Sequence, residues 1–220
     1  NLKPFIPLAL TYQAQTAMKF NKFLAATTAA ATALPLSALA HVGADGGTGH
    51  HHFLDSLTHA FAHPFTGLDH LAAMLAVGAW SALTVTPAWR APAAFVALLL
   101  AGALAGFAGL WVPGVEPMIA ASVLVLGLLV AVQKKMPWVL AAALAGVFAF
   151  FHGAAHGFEL AGDSGWATVG ALAGIALGSG LLHITGMVLG KAVMQRHQWL
   201  AKLGGAATAA LGAVMLMRLA

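Results

Sequence analysis

From residue 58 onward the chain is a succession of six apolar stretches, near 60–84, 92–112, 116–133, 137–159, 166–190 and 199–218. A bilayer core needs about 20 apolar residues per helix. Within hydrocarbon every backbone polar group must find its partner inside the protein, which helices achieve one segment at a time. Pro87, Pro92, Pro113, Pro117 and Pro137 fall at the junctions, where a missing amide proton does least harm. Only 7% of residues are charged and 60% are hydrophobic, against about 25% charged in a soluble domain. The expected fold class is an all-α membrane protein with six transmembrane helices in the lipid bilayer. With no cysteine, disulfides, thiolate metal sites and cysteine nucleophiles are excluded. The basic residues are scattered singly or in pairs, so no nucleic-acid partner is expected.

The first forty residues read as processing signals. Met18-Lys19-Phe20-Asn21-Lys22 makes a positively charged start, Phe23 to Leu36 a short apolar run, and Ala38-Leu39-Ala40 a small-x-small cleavage pattern. The expected organisation is therefore an upstream leader at 1–17, a signal peptide at 18–40, a His-rich periplasmic segment at 41–58 and a six-helix transmembrane domain at 59–220. Cleavage would remove Lys3, Lys19 and Lys22 but none of the eleven histidines.

The loops give an orientation. Arg90 lies between spans one and two, Lys134 and Lys135 between three and four, and Lys191 and Arg196 between five and six. Cytoplasmic loops carry the excess of Lys and Arg, so both mature termini are expected in the periplasm and the protein in a bacterial inner membrane. Signal peptide and charge pattern reach this orientation independently. Glycines recur within the helices (Gly102 and Gly106; Gly174, Gly178, Gly180, Gly186 and Gly190), and small residues four apart let helices approach closely in lipid. Spans one and four both carry a knot of His, Gly and a carboxylate, the pattern of two inverted three-helix halves with a transport site between them.

Those knots carry the chemistry. The first is His63-Pro64-Phe65-Thr66-Gly67-Leu68-Asp69-His70 and the second Phe151-His152-Gly153-Ala154-Ala155-His156-Gly157-Phe158-Glu159. Ionisable groups in hydrocarbon are functional candidates because desolvating them is costly. Imidazole and carboxylate suit a first-row divalent metal. On a helical wheel His59, His63 and His70 fall within about 40°, and His152, His156 and Glu159 within about 60°. At 1.5 Å per residue, Asp69 and His70 are expected about 13–15 Å below the outer surface, His152 about 10 Å and His183 about 25 Å. The donors thus form a ladder from the outer face inward. Asp69, His70, His152 and His156 are expected to form the central site, His63 and Glu159 the outer approach, and His183 the inward step. Asp69 and Glu159 offset the charge of a divalent ion. His41, with the free α-amine that cleavage would give it, and His50, His51 and His52 read as a metal-gathering tract at the outer mouth.

A signal peptide, a mature start of His-Val-Gly type and the two motifs, His63-Pro64-x-x-Gly67-x-Asp69-His70 and Phe151-His152-Gly153-x-Ala155-His156-Gly157-x-Glu159, resemble the HupE/UreJ family from His41 to the end of the chain. That resemblance implies a nickel permease accompanying hydrogenase or urease, with cobalt transport ascribed to some members. It carries the motif positions onto His63, Asp69, His70, His152, His156 and Glu159. It implies transiently bound Ni²⁺ (or Co²⁺) as substrate, with no prosthetic group and no enzymatic activity.

Two other classes fit parts of the pattern. Ser179-x-x-x-His183 and His152-x-x-x-His156 with Asp69 resemble an intramembrane zinc-dependent hydrolase of the alkaline ceramidase kind, in which zinc would activate water. Gly178-Ser179-Gly180 superficially resembles a rhomboid nucleophile. A non-transporting metal sensor or assembly factor is the third class. Neither hydrolase accounts for the outer His-rich segment or for ligands spread over depth. Glu116 is expected to cap the start of span three or to serve as a rim ligand, and His197 to sit solvated in a loop.

Overall fold

The computed structural model describes residues 52–161 and 165–220. The leader 1–17, the signal peptide 18–40, His41, His50, His51 and Asp163 lie outside the described residues. Among the described residues seven α-helices follow one another: α1 Phe53–Thr66, α2 Leu68–Thr84, α3 Arg90–Phe107, α4 Val115–Val132, α5 Trp138–Glu159, α6 Trp166–Leu189 and α7 Gln198–Leu219. A π-helical turn, Gly190–Met194, extends α6. No strand occurs among the described residues. Helices α3 to α7 are long and apolar enough to cross a membrane. Their outer faces display Leu104, Leu128, Val147, Leu177, Ile184 and Val188, each about half exposed. A surface this apolar is incompatible with water and natural in lipid, so the chain is a multi-pass membrane protein. The Trp residues at 89, 111, 138, 166 and 199 are exposed at helix ends or in connections, whereas Trp80 is fully buried, as the interfacial preference of tryptophan leads one to expect.

The structure corrects one expectation. The first apolar stretch, 60–84, is two helices, α1 and α2, parted at Gly67. Pro64 lies inside α1 and has no amide proton to give the turn before it. The Thr66 hydroxyl then donates to the His63 carbonyl at 2.8 Å, closing the end of α1. Gly67 is extended (φ −87°, ψ 122°) and caps both helices. Its carbonyl accepts the Leu71 amide at 2.9 Å, which opens α2. The wheel that placed His59 and His63 in phase with His70 therefore does not run through the knot.

Glycines set the helix pairing. A Cβ at Gly102 (α3) would press on the Phe150 carbonyl and Ala154 amide of α5, and one at Gly153 (α5) on the Leu99 carbonyl and Ala103 amide of α3. Likewise Gly78 (α2) meets the His183 carbonyl and Met187 amide of α6, and Gly186 (α6) the Leu75 carbonyl and Ala79 amide of α2. Gly170, Gly174 and Gly178 of α6 take the backbone of α1 at Phe53, Leu57 and Phe61. Gly127 (α4) and Gly205 (α7) face each other's carbonyls at 2.6–2.7 Å from the position of a Cβ. Such backbone contact, with no side chain between, is how helices associate where lipid offers no hydrophobic drive. It joins α1 and α2 to α6, α3 to α5, and α4 to α7.

Candidate functional site

The break at Gly67 puts Asp69 in the first turn of α2, where the exposed amides and dipole of a helix N-terminus favour a carboxylate. His70 follows directly. Opposite them the last two turns of α5 carry His152, His156 and Glu159. The packing of α5 through Gly153 and Gly157 against α3 holds this end of the helix inside the bundle. His70 and His152 are fully buried, His156 is 1% exposed and Asp69 6%.

The donors converge. His63 from α1, His70 from α2 and His156 from α5 each place a ring nitrogen within 4.8 Å of the others. The ring centroids lie 4.8 Å apart for His63 and His156, 4.6 Å for His70 and His156, and 5.6 Å for His63 and His70. The Glu159 carboxylate stands 3.8 Å from His63 Nε2 and 4.0 Å from His156 Nδ1. His152 packs edge-on against His70 at 5.1 Å.

Two of these rings have their orientation fixed by a hydrogen bond to the far nitrogen. His70 Nδ1 donates to Asp69 Oδ1 at 3.0 Å, and His152 Nδ1 donates to the Phe148 carbonyl at 3.0 Å. A neutral imidazole whose Nδ1 is the donor keeps its lone pair on Nε2. A carboxylate behind a histidine ring fixes its tautomer and orientation. Asp69 thus stands behind His70 rather than beside it.

Of the residues expected at the centre, His70 and His156 are joined by His63, which was assigned to the approach. His152 flanks this group and Asp69 backs it. His183 stands apart, on α6, with its ring 4.9 Å from that of Phe95 on α3. Phe95 in turn is 5.9 Å from His152. This fully buried phenyl ring is the common neighbour of both histidines, and sequence reasoning missed it, since nothing distinguishes one Phe in an apolar helix from another. One turn back along α1, His59 continues the series, 6.5 Å from His63 between centroids. His52 is exposed just before α1. Glu116 lies in the first turn of α4 and shares with Glu159 a cavity of about 320 Å³, lined also by Trp111 and Phe158. His197 is exposed just before α7.

The family model for HupE / UreJ protein matches residues 29–215. The chain belongs to the HupE/UreJ family. It is 40% identical over 202 residues to Protein HupE of Rhizobium leguminosarum bv. viciae, an overlap of 91% of this chain and 100% of that relative. No solved structure matches the chain. The matched region takes in both motifs of this HupE/UreJ chain, and the contacts above give those motifs a physical reading. In the first, the glycine parts two helices and the Asp–His dipeptide opens the second. In the second, the glycines let α5 lie against α3 while the histidines face inward.

Proposed function

We propose that this protein is a secondary transporter or facilitator that carries Ni²⁺, with Co²⁺ as the next-best substrate, from periplasm to cytoplasm across a bacterial inner membrane. It would supply hydrogenase or urease maturation. The observation that carries this reading is the convergence of His63, His70 and His156 from three helices, with donor atoms within 4.8 Å of one another inside a membrane bundle. Neutral imidazoles with Glu159 alongside and Asp69 behind replace the water shell of a dication and offset its charge. A bare ion in hydrocarbon could not otherwise be afforded. Three nitrogen donors and an adjacent carboxylate make an open site, from which an ion can leave as well as enter. The cavity shared by Glu116 and Glu159 is the outer approach, and the His50–His52 tract gathers metal ahead of it.

The six-span topology follows if α1 and α2 together make the first crossing. The mature amino terminus, freed by signal-peptide cleavage, then lies outside with the carboxyl terminus. Glycine packing supports the inverted halves. Matching α2 with α5 and α3 with α6 turns the Gly78, Gly186 contacts into the Gly153, Gly102 contacts residue for residue. The α4–α7 contact, Gly127 against Gly205, maps onto itself under the same exchange. That is the relation required of spans one, two and three with four, five and six. On this reading α1, with the outer part of α6, is an addition without a counterpart.

The hydrolase reading requires Ser179 and His183 to join His152, His156 and Asp69 around one zinc ion, yet His183 reaches His152 by way of Phe95. Radioactive Ni²⁺ uptake into proteoliposomes, with Co²⁺ and Zn²⁺ as competitors and with and without an uncoupler, tests the proposal. A hydrolase or a sensor moves no ion; a permease accumulates or equilibrates it, and His70→Ala abolishes the flux.

A further inference from the structure

The buried polar groups of α6 are not explained by the outer cluster. Ser179 is 0% and His183 1% exposed. The Ser179 hydroxyl and both ring nitrogens of His183 are buried without a hydrogen bond of normal geometry, although the Ser179 backbone lies alongside the ring. One helical turn separates the two residues, so their side chains share a face with Cβ atoms about 5–6 Å apart. Burying such groups unsatisfied is costly, and the cost persists in native proteins where a ligand or water visits.

The location narrows the visitor. The His183 backbone packs on Gly78, two turns further along α2 than His70, which is about 12 Å at the helical rise. A side chain on a helix leans back towards its N-terminus, here the outer end of α6 on the proposed topology, and the His183 ring meets Phe95. Phe95 meets His152, which meets His70. The orphaned pair is therefore one aromatic ring beyond the outer cluster, on its inner side.

We propose that Ser179 and His183 form a second, inner cation site, which receives the ion from the outer cluster past Phe95. This rests on the transport reading above and adds a step to it. His183 supplies one nitrogen ligand, and the Ser179 hydroxyl holds a water of the ion's partly restored shell. Both donors are neutral. The ion is accordingly held more weakly here than beside Asp69 and Glu159, as a site before release should hold it. The set suits a borderline divalent ion such as Ni²⁺ and disfavours Mg²⁺ or Ca²⁺, which want oxygen ligands alone.

The test uses the full-length protein, purified for Ni²⁺ binding by equilibrium dialysis and reconstituted for Ni²⁺ uptake, as wild type, His183→Gln, Ser179→Ala and His70→Ala. Wild type should bind one Ni²⁺ tightly and a second only at much higher concentration. His183→Gln should keep the tight event, lose the weak one and cut maximal uptake at least about 10-fold. Ser179→Ala, which removes a single oxygen and leaves the helix intact, should lower maximal uptake while sparing the tight event. Uptake by His183→Gln within about twofold of wild type, with His70→Ala inactive, would overturn the inner site and leave the outer one standing. Loss of tight binding in His183→Gln and Ser179→Ala alike would make the pair a packing element of the outer cluster, and would overturn the inner site equally. A wild type that neither binds nor transports Ni²⁺ would sink the transport reading itself.

Discussion

Asp69→Asn separates charge from shape at the centre of the proposed site. In the structure Asp69 Oδ1 accepts from His70 Nδ1 at 3.0 Å, with His70 fully buried and Asp69 6% exposed. Asparagine occupies nearly the same volume and can still present an oxygen to that N–H, so the bundle should assemble as before. What disappears is the negative charge behind the His70 ring, which favours a cation beside it. Removing an outer-shell partner of a metal-bound histidine costs about 10–100-fold in affinity, equivalent to about 1.4–2.8 kcal/mol. Water cannot substitute at a ring with no exposure, which places the expected loss near the upper end. Uptake at low external Ni²⁺ should then be almost abolished with normal protein abundance in the membrane. Because Asp69 acts through His70, the double variant Asp69→Asn/His70→Ala should be no worse than His70→Ala alone, a non-additivity expected of groups that work as a unit. Full addition of the two losses would show Asp69 to be an independent ligand. Wild-type affinity in Asp69→Asn would refute the tuning argument outright.

Other substitutions probe the approach, the scaffold and the capture of metal. Glu159→Gln removes the carboxylate 3.8 Å from His63 and 4.0 Å from His156, and should weaken Ni²⁺ binding about 10-fold, measured by equilibrium dialysis; unchanged affinity would take Glu159 out of the site. Gly153→Ala drives a methyl into the Leu99 carbonyl and should destabilise the bundle by about 1–3 kcal/mol, seen as a lower melting temperature in detergent. Gly180→Ala, whose methyl meets nothing within 4 Å, should melt like wild type, and equal losses at both positions would discredit the packing account. Replacing His50, His51 and His52 together with Ala should lower uptake mainly at scarce external metal, and equal uptake at every concentration would remove the gathering role.

The crossings were legible where composition alone decides them. Stretches expected near 92–112, 116–133, 137–159, 166–190 and 199–218 are helices Arg90–Phe107, Val115–Val132, Trp138–Glu159, Trp166–Leu189 and Gln198–Leu219, because prolines and charges punctuate long apolar runs. The division of 60–84 was not legible. Hydropathy is blind to whether Gly67 continues a helix or parts it, and the answer depends on Pro64 and the Thr66 hydroxyl acting together. The same blindness moved residues within the site. A continuous wheel put His59, His63 and His70 on one face, whereas the break lets His63 meet His156 from α1 while Asp69 stays behind His70. Phe95 gave no signal because its role lies in which histidines it touches, a property of tertiary packing.

The division of labour between the proposed halves bears on direction. The glycine register that matches α5 to α2 sets His152 against Val77, His156 against Ser81 and Glu159 against Thr84. At the α2 positions the hydroxyls are already spent, Ser81 donating to the Ala88 carbonyl at 2.6 Å and Thr84 to the Trp80 carbonyl at 2.7 Å. Under the proposed repeat, the scaffold would carry strong donors at one end and already bonded hydroxyls at the other. The contrast sharpens further because α1, the segment without a counterpart, contributes His63 to the donor-rich end. On the transport reading proposed above, the donors of α5 would stand at the outer end, where the ion is captured. A permease that captures a scarce metal outside and yields it inside would be served by this combination, a matched frame with its ligands placed on one side.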